Sequence, residues 1–290
     1  MQKYKVVIIG SGIAGMTSAI YLKRGGIEPL IIESNAPGGT LNLIPSIENY
    51  PGHEEVSGPD LAMNMYNQVN NLGIKYLFRD IKNVDLDRKI IDNEIEYDYL
   101  IIATGRKNRL LGIDDEDKLL GRGVSTCALC DGMFYKDRDV VVIGGSSSAL
   151  TESLYLSNIC NKVTIVHRRD SFSGEKHLID KVNDIDNIEV VYNSNVVKYN
   201  IINDKLASVT LDNGDDIDTD GVFLAIGSTP NSELFDVEKD NNYIVTNDKY
   251  ETSTPNVFAI GDVIRKDYYQ LINASSEGMS VALTIIDREK

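Results

Sequence analysis

Val6-Val7-Ile8-Ile9-Gly10-Ser11-Gly12-Ile13-Ala14-Gly15 is an apolar β-branched run that breaks into three glycines at GxGxxG spacing. A helical pattern follows through Met16, Ala19, Ile20 and Leu22 and stops at Gly25-Gly26. A second apolar run, Leu30-Ile31-Ile32, then ends in Glu33. Strand, glycine turn, helix and strand in this order turn a bare spacing into a dinucleotide fingerprint. The glycines let the backbone approach a pyrophosphate, which sits on the amides at the positive end of the helix. Glu33 falls where a carboxylate accepts hydrogen bonds from a ribose diol. Gly10, Ser11, Gly12, Ile13, Ala14, Gly15, Glu33 and its neighbour Ser34 are therefore the first candidate binding residues. The plain alternative is an ordinary βαβ unit.

The pattern returns once. Val140-Val141-Val142-Ile143 runs into Gly144-Gly145-Ser146-Ser147-Ser148-Ala149, a helix follows through Leu150, Leu154 and Leu156, and Val163-Thr164-Ile165-Val166 ends at His167. Gly10 to Glu33 spans 23 residues (33 − 10), as does Gly144 to His167 (167 − 144). At the tip of the second copy His167-Arg168-Arg169 replaces the acid. A carboxylate there selects a free ribose, whereas arginines favour a 2′-phosphate. Gly145, Ser146, Ser147, Ser148, His167, Arg168 and Arg169 are the candidate contacts of this second nucleotide. Two such units predict an α/β protein.

The 290 residues allow one large domain or two ordinary ones, and 42% hydrophobic with 25% charged residues is a globular composition. With 29 Lys+Arg against 44 Asp+Glu the formal charge is −15, which argues against nucleic acid and anionic membrane surfaces as partners. No apolar run approaches the ~18 residues of a membrane helix. Val6–Ile9 is too short for a signal-peptide core. These features predict a cytoplasmic protein, and three cysteines are too few for a disulfide framework.

Two of the three form Cys127-Ala128-Leu129-Cys130, followed at once by Asp131-Gly132. A redox dithiol, half of a zinc site, a regulatory disulfide and two buried thiols are the competing readings. Zinc needs two more ligands, and Cys160 and His167 fall at opposite ends of the second unit, so no metal is expected. Beside dinucleotide sites the pair reads best as a dithiol that cycles with its disulfide. Asp131 is either a general acid for a leaving thiolate or a turn residue. Cys160 reads as a buried structural thiol.

With these pieces in order, the chain resembles the low-molecular-weight thioredoxin reductases over essentially its whole length. The resemblance rests on Gly38-Gly39-Thr40-Leu41, Glu48-Asn49-Tyr50-Pro51-Gly52, Ala103-Thr104-Gly105, Gly121-Arg122-Gly123-Val124-Ser125, Cys127–Gly132, His167-Arg168-Arg169-Asp170 and Thr252–Val263. It implies that the first fold binds FAD, with Gly38, Gly39, Thr40, Leu41, Asn42, Asn49, Ile81, Ala103, Thr104, Gly105, Gln270 and Leu271 adding to its lining. Gly261-Asp262 resembles the second FAD motif, a close approach plus a carboxylate for a ribityl hydroxyl. Because Asp262 would serve the N-terminal fold, the FAD domain is expected in two parts, 1–111 and 232–290. A domain over 112–231, carrying both the CxxC and the NAD(P)-binding-like fold, is inserted between them. The fold class implied is two Rossmann-like dinucleotide-binding domains, the second inserted in the first. Gly105–Arg109 and Ser228–Ser232 read as loop connections and as a hinge.

The activity implied is that of a flavin-dependent disulfide reductase. Electrons would pass from NADPH through FAD to Cys130 as the flavin-proximal thiol, with Cys127 leaving as thiolate and Asp131 supplying a proton. Cys127 would then attack the disulfide of thioredoxin or a similar small protein. The chain departs from the family at the NADPH motif. Ser146 stands at the second glycine of GxGxxA, and Ser173 stands at the last arginine of HRRxxxR. A ferredoxin-type or dithiol donor is the alternative this raises. A dithiol oxidase and a redox sensor without turnover are further rivals. A homodimer is expected by family analogy.

Overall fold

The computed structural model describes residues 1–44 and 46–290. Its chain divides into two compact units, Met1–Lys107 with Thr229–Lys290, and Asn108–Ser228. The first begins with β1 (Gln2–Ile9), α1 (Ile13–Arg24), β2 (Pro29–Glu33), α2 (Gly58–Asn71), β3 (Lys75–Phe78), β4 (Val84–Asp85), β5 (Ile90–Ile91) and β6 (Ile95–Ile102). β1 pairs in parallel with β2 and β6, and β2 with β3, while β5 and β4 extend the sheet antiparallel. Val6 and Ile8 enter one apolar cluster; Val7 and Ile9 enter the other, on the opposite face. Burial on both faces is why these strands read as unbroken apolar runs and not as alternation.

β7 (Arg106–Asn108) leads into the second unit. There follow α3 (Glu116–Leu119), β8 (Val124–Ser125), α4 (Ala128–Asp131), β9 (Asp139–Gly144), α5 (Ser147–Ser157), β10 (Lys162–His167), α6 (Lys176–Asn183) and β11 (Ile188–Tyr192). β12 (Val196–Ile202), β13 (Lys205–Leu211), β14 (Asp216–Asp218) and β15 (Gly221–Ala225) complete it. A parallel sheet runs β11-β10-β9-β15-β8, with β12, β13 and β14 forming a separate antiparallel sheet.

The chain returns through β16 (Ser228–Pro230), β17 (Lys239–Asp240), β18 (Tyr243–Ile244), β19 (Val257–Ala259) and α7 (Leu271–Arg288). β19 adds to β6 in parallel, so the first unit's sheet is built from both ends of the sequence. α7 lies so close on α1 that a methyl at Gly278 would stand 2.4 Å from the Ala14 carbonyl oxygen. The two crossings are not loops: β7 and β16 pair with each other. Against the sequence-based boundaries, 108–111 and 229–231 change units. The Arg109 N–H bonds the Gly227 carbonyl at 2.9 Å within the second unit. Asn231 instead bonds Thr104 and Gly105 of the first, donating its own N–H to Gly105 at 2.9 Å.

Candidate active site

The first fingerprint is a tight turn between β1 and α1. Gly10 has φ +101, and a methyl there would lie 2.3 Å from the Ala103 carbonyl oxygen, so only glycine joins the turn to the Ala103-Thr104-Gly105 segment. Glu33, at the end of β2, accepts from the Ser11 N–H and hydroxyl at 2.8 and 2.9 Å and from the Asn35 N–H at 2.9 Å. Its carboxylate is thus fixed beside the turn. The Gly38 N–H bonds the Ser11 carbonyl at 2.9 Å, which brings the Gly38–Asn42 segment to the fingerprint. Asn49 donates to the Gln270 side chain at 3.2 Å, at the start of α7. Gly261 also reaches the fingerprint, packing beside Ala14. Thr40 and Ser34 are exposed, Asp262 is half-buried, and Ile81 and Leu271 pack on the unit's apolar clusters.

A dinucleotide fits these residues. The first turn of α1 has no side-chain cap and no acidic residue, and the space over Gly12 is open, which leaves helix amides for a pyrophosphate. Near Glu33, the buried hydroxyl of Tyr76 has no hydrogen-bond partner among the described residues, and burial first, then the neighbouring Tyr66 and Glu33, push its pKa up. Sequence reasoning missed the support under Gly261. Glu277, buried on α7, accepts the Gly261 N–H at 2.7 Å and pairs with Lys266 at 2.7 Å. An acid inside the otherwise apolar stripe of α7, next to Gly278, was the available signal.

The second fingerprint has the same frame and a different lining. α5 also starts without a side-chain cap or an acid in its first turn. Gly144 has φ +153 and stands against the Ala225 carbonyl, as Gly10 stands against Ala103. The His167 ring packs onto Gly145, is only 7% exposed, and has its Nε2 3.0 Å from the Ser171 carbonyl. That ring supports the turn and does not present itself to a ligand. Arg168 and Arg169 are exposed and, among the described residues, in no ion pair, while Ser146 and Ser148 face solvent. Ser173 is tied back to the turn: its N–H bonds the Gly145 carbonyl at 2.8 Å and its hydroxyl bonds it at 3.2 Å.

Cys127 and Cys130 form a disulfide at the start of α4. The two sulfurs differ in access: Cys127 is 7% exposed, whereas Cys130 is exposed. The Cys127 N–H is held by the Ser125 hydroxyl at 3.0 Å, and its sulfur accepts the Cys130 N–H at 3.0 Å. The sequence reading assigns Cys127 to the acceptor disulfide and Cys130 to the flavin. Asp131 is half-buried, and its charge, after burial, raises the Tyr135 pKa. Met133 (60% exposed) and Phe134 (77%) leave an apolar surface beside the pair. Cys160 is buried, and burial pushes its thiol up to about 11, which keeps it unreactive.

Comparison with known proteins agrees with this geometry. The family model described as "Pyridine nucleotide-disulphide oxidoreductase" matches residues 4–278. The thioredoxin reductase of Rickettsia typhi is 40% identical, covering 97% of this chain and 96% of that protein. That of Bacillus subtilis is 37% identical over 97% and 93%. The crystal structure of Lactococcus lactis thioredoxin reductase (FR conformation) superposes with a TM-score of 0.92 at 34% identity, covering 98% of each chain.

Proposed function

The chain belongs to the pyridine nucleotide-disulphide oxidoreductase family, and we propose that it carries electrons from NADPH by way of the Cys127–Cys130 pair to thioredoxin or a similar small protein disulfide. It is an FAD-dependent disulfide reductase of the thioredoxin-reductase type. Gly10–Gly15, Glu33, Gly38–Asn42, Asn49, Ala103–Gly105, Gly261, Asp262 and Gln270 are the residues that would hold FAD, which supplies an electron pair when bound. The second fingerprint, with Arg168 and Arg169, would hold NADPH.

The observation that carries the acceptor reading is the Cys127–Cys130 disulfide at the start of α4 flanked by exposed Met133 and Phe134. Once an electron pair opens the disulfide, the Cys127 thiolate would attack the acceptor disulfide and release one acceptor thiolate, and Cys130 would resolve the mixed disulfide by attacking Cys127 as the second acceptor thiolate leaves. Apolar side chains beside it offer a contact surface for a small protein. A helix that could cross a membrane is absent among the described residues. Cytoplasmic location and a homodimer complete the proposal, supported by family analogy.

The test is anaerobic flavin bleaching with NADPH, NADH, a ferredoxin-type donor and dithiol in parallel, followed by thioredoxin-disulfide turnover. NADPH bleaching with thioredoxin reduction is the expected result. Bleaching by the protein donor alone would replace NADPH in the reading. Bleaching without any disulfide turnover would favour a sensor.

A further inference from the structure

The dithiol stands on very little regular structure. Upstream of Cys127 lies β8, two residues long, and downstream α4 is a single turn of four residues. So short a helix has no cooperativity of its own with which to hold a side chain in place. Within the segment the restraints are local. The Ser125 hydroxyl accepts the Cys127 N–H at 3.0 Å and donates to the Cys127 carbonyl at 3.3 Å, and the Cys127 sulfur accepts the Cys130 N–H. Among the described residues, one hydrogen bond reaches residues 126–131 from outside 125–135. The Asn108 side-chain amide donates it to the Thr126 carbonyl, 18 residues along the chain, at 3.0 Å.

The Thr126 carbonyl and the Cys127 N–H belong to one peptide group, and that group is planar. Asn108 holds its oxygen and Ser125 holds its hydrogen. Holding both ends of the plane fixes its rotation, and with it the direction in which the Cys127 side chain leaves the backbone. Cys127 is the N-cap of α4, extended at φ −145 and ψ 96, so no helical hydrogen bond sets this direction for it. Without Asn108 the plane is held at one end only, by a hydroxyl two residues away.

Asn108 is anchored well enough to act as that second hold. It is the last residue of β7, by which the chain enters the second unit, and β7 pairs with β16, by which it leaves. Just beyond, the Arg109 N–H bonds the Gly227 carbonyl at 2.9 Å. At the other end of β7 the Arg106 guanidinium lies 3.8 Å from the Tyr269 ring centre and bonds the Tyr243 hydroxyl, all three in the first unit.

We propose that Asn108 is a positioning residue of the dithiol: through the Thr126 carbonyl it orients the peptide that carries Cys127. The proposal rests on the disulfide-reductase reading and adds a residue to it. Asn108 takes part in no bond change. Its effect is on how often the Cys127 sulfur stands within reach of Cys130 once two electrons and two protons have opened the disulfide. That closeness is an effective concentration of one thiol at the other. It sets the equilibrium with an external disulfide and the rate at which a mixed disulfide closes.

The test uses the FAD-loaded protein, anaerobically, in glutathione redox buffers, and reads the state of Cys127 and Cys130 by alkylation and mass spectrometry. In the exchange the protein dithiol becomes its disulfide as one oxidised glutathione becomes two thiols. Asn108→Asp keeps the shape and loses the donor, Asn108→Ala loses both, and Asn108→Gln keeps an amide on a longer arm. The aspartate and alanine variants should shift the pair toward the dithiol by about 3- to 10-fold, the size of one hydrogen bond. Closure of a glutathione mixed disulfide should slow by a similar factor. Asn108→Gln should regain part of both, which a general loss of fold would not allow. Lys107→Ala, at the exposed neighbour on the same strand, should change neither. An unchanged equilibrium in Asn108→Asp and Asn108→Ala would overturn the proposal, and so would an equal shift in all three Asn108 variants. A parent enzyme that reduces no thioredoxin disulfide, with these shifts present, would strike the functional reading and leave the proposal standing.

Discussion

The two fingerprints differ by a constant offset of 134 residues (144 − 10), so each position from Gly10 to Glu33 can be set against its counterpart from Gly144 to His167. Glu33 answers to His167, Gly15 to Ala149, and Ser18 to Glu152. The backbone solutions are shared: a glycine at positive φ against a carbonyl of a neighbouring strand segment, and a helix start without a cap. The side chains are not. In the first unit each one is engaged: Glu33 is held by Ser11, and Ser18 bonds the Ala14 and Gly278 carbonyls beneath α7. In the second, among the described residues, Arg168 and Arg169 are in no ion pair and one oxygen of Glu152 has no hydrogen-bond partner. These side chains of the first frame are tied to the protein, and the arginines of the second face solvent.

The sharpest way to break this comparison is to damage each turn in the same way. A methyl at Gly10 would meet the Ala103 oxygen at 2.3 Å, and one at Gly144 would meet the Ala225 oxygen at 2.4 Å. Each alanine variant should lose about 3 kcal/mol or more in its own unit. Hydrogen exchange should show Gly10→Ala losing FAD and Gly144→Ala staying yellow while peptides of 108–228 lose protection. Equal loss of flavin from both would mean the units do not hold their ligands separately.

The Ser18/Glu152 pair predicts a pH effect confined to one unit. Glu152 keeps its proton to about pH 8, while the unfolded chain releases it near 4.5. Its contribution is therefore fully present below pH 4.5 and is lost as pH rises toward 8. The loss should be on the order of 3 kcal/mol, reduced by residual solvent access. Glu152→Gln should flatten the fall in denaturant midpoint between pH 5 and 8. A parallel fall in the variant would assign the slope to other groups.

Much of this was legible because glycine spacing and apolar runs are local. Gly10–Glu33 and Gly144–His167 announced both folds, and Cys127–Cys130 announced the chemistry. The partners of Gly261 were not legible, since Glu277 reaches it only after β19 joins β6 and α7 lies down on α1. Access at the dithiol was also hidden. Nothing in Cys-Ala-Leu-Cys says which sulfur the packing of α4 on α5 will bury. The crossings misread as loops because Gly, Ser and Pro mark a break in a sheet, and give no sign that two breaks 120 residues apart pair with each other (228 − 108).

A smaller effect is expected at the ribose ends. Glu33→Gln removes the charge from hydrogen bonds that fix the first turn, and should weaken FAD by about 10- to 100-fold in apoprotein titrations. Arg168→Gln with Arg169→Gln should leave FAD bound and weaken NADPH alone. If FAD falls in the second variant as well, the open frame is not the pyridine-nucleotide site.

The mildest change sharpens the contrast by making the second frame more like its family. Ser146 is the residue before α5 and caps nothing with its side chain, so Ser146→Gly forfeits no hydrogen bond. Ser173 holds the Gly145 carbonyl through both its N–H and its hydroxyl, and the shorter of these, the N–H at 2.8 Å, survives any substitution but proline. Because Ser173 is exposed, an arginine there has room to extend toward a 2′-phosphate bound between it and Arg168. The added charge-assisted bond, less the lost hydroxyl contact, should strengthen NADPH by about tenfold. NADH should be unaffected, since it carries no 2′-phosphate. The readout is the nucleotide concentration that half-bleaches the flavin anaerobically, measured for NADPH and NADH in the parent and in the double variant. A gain for both nucleotides would trace to Ser146→Gly and the pyrophosphate. A gain for neither would show that the exposed pair Arg168–Arg169 already saturates the phosphate, and that the serines cost the site nothing.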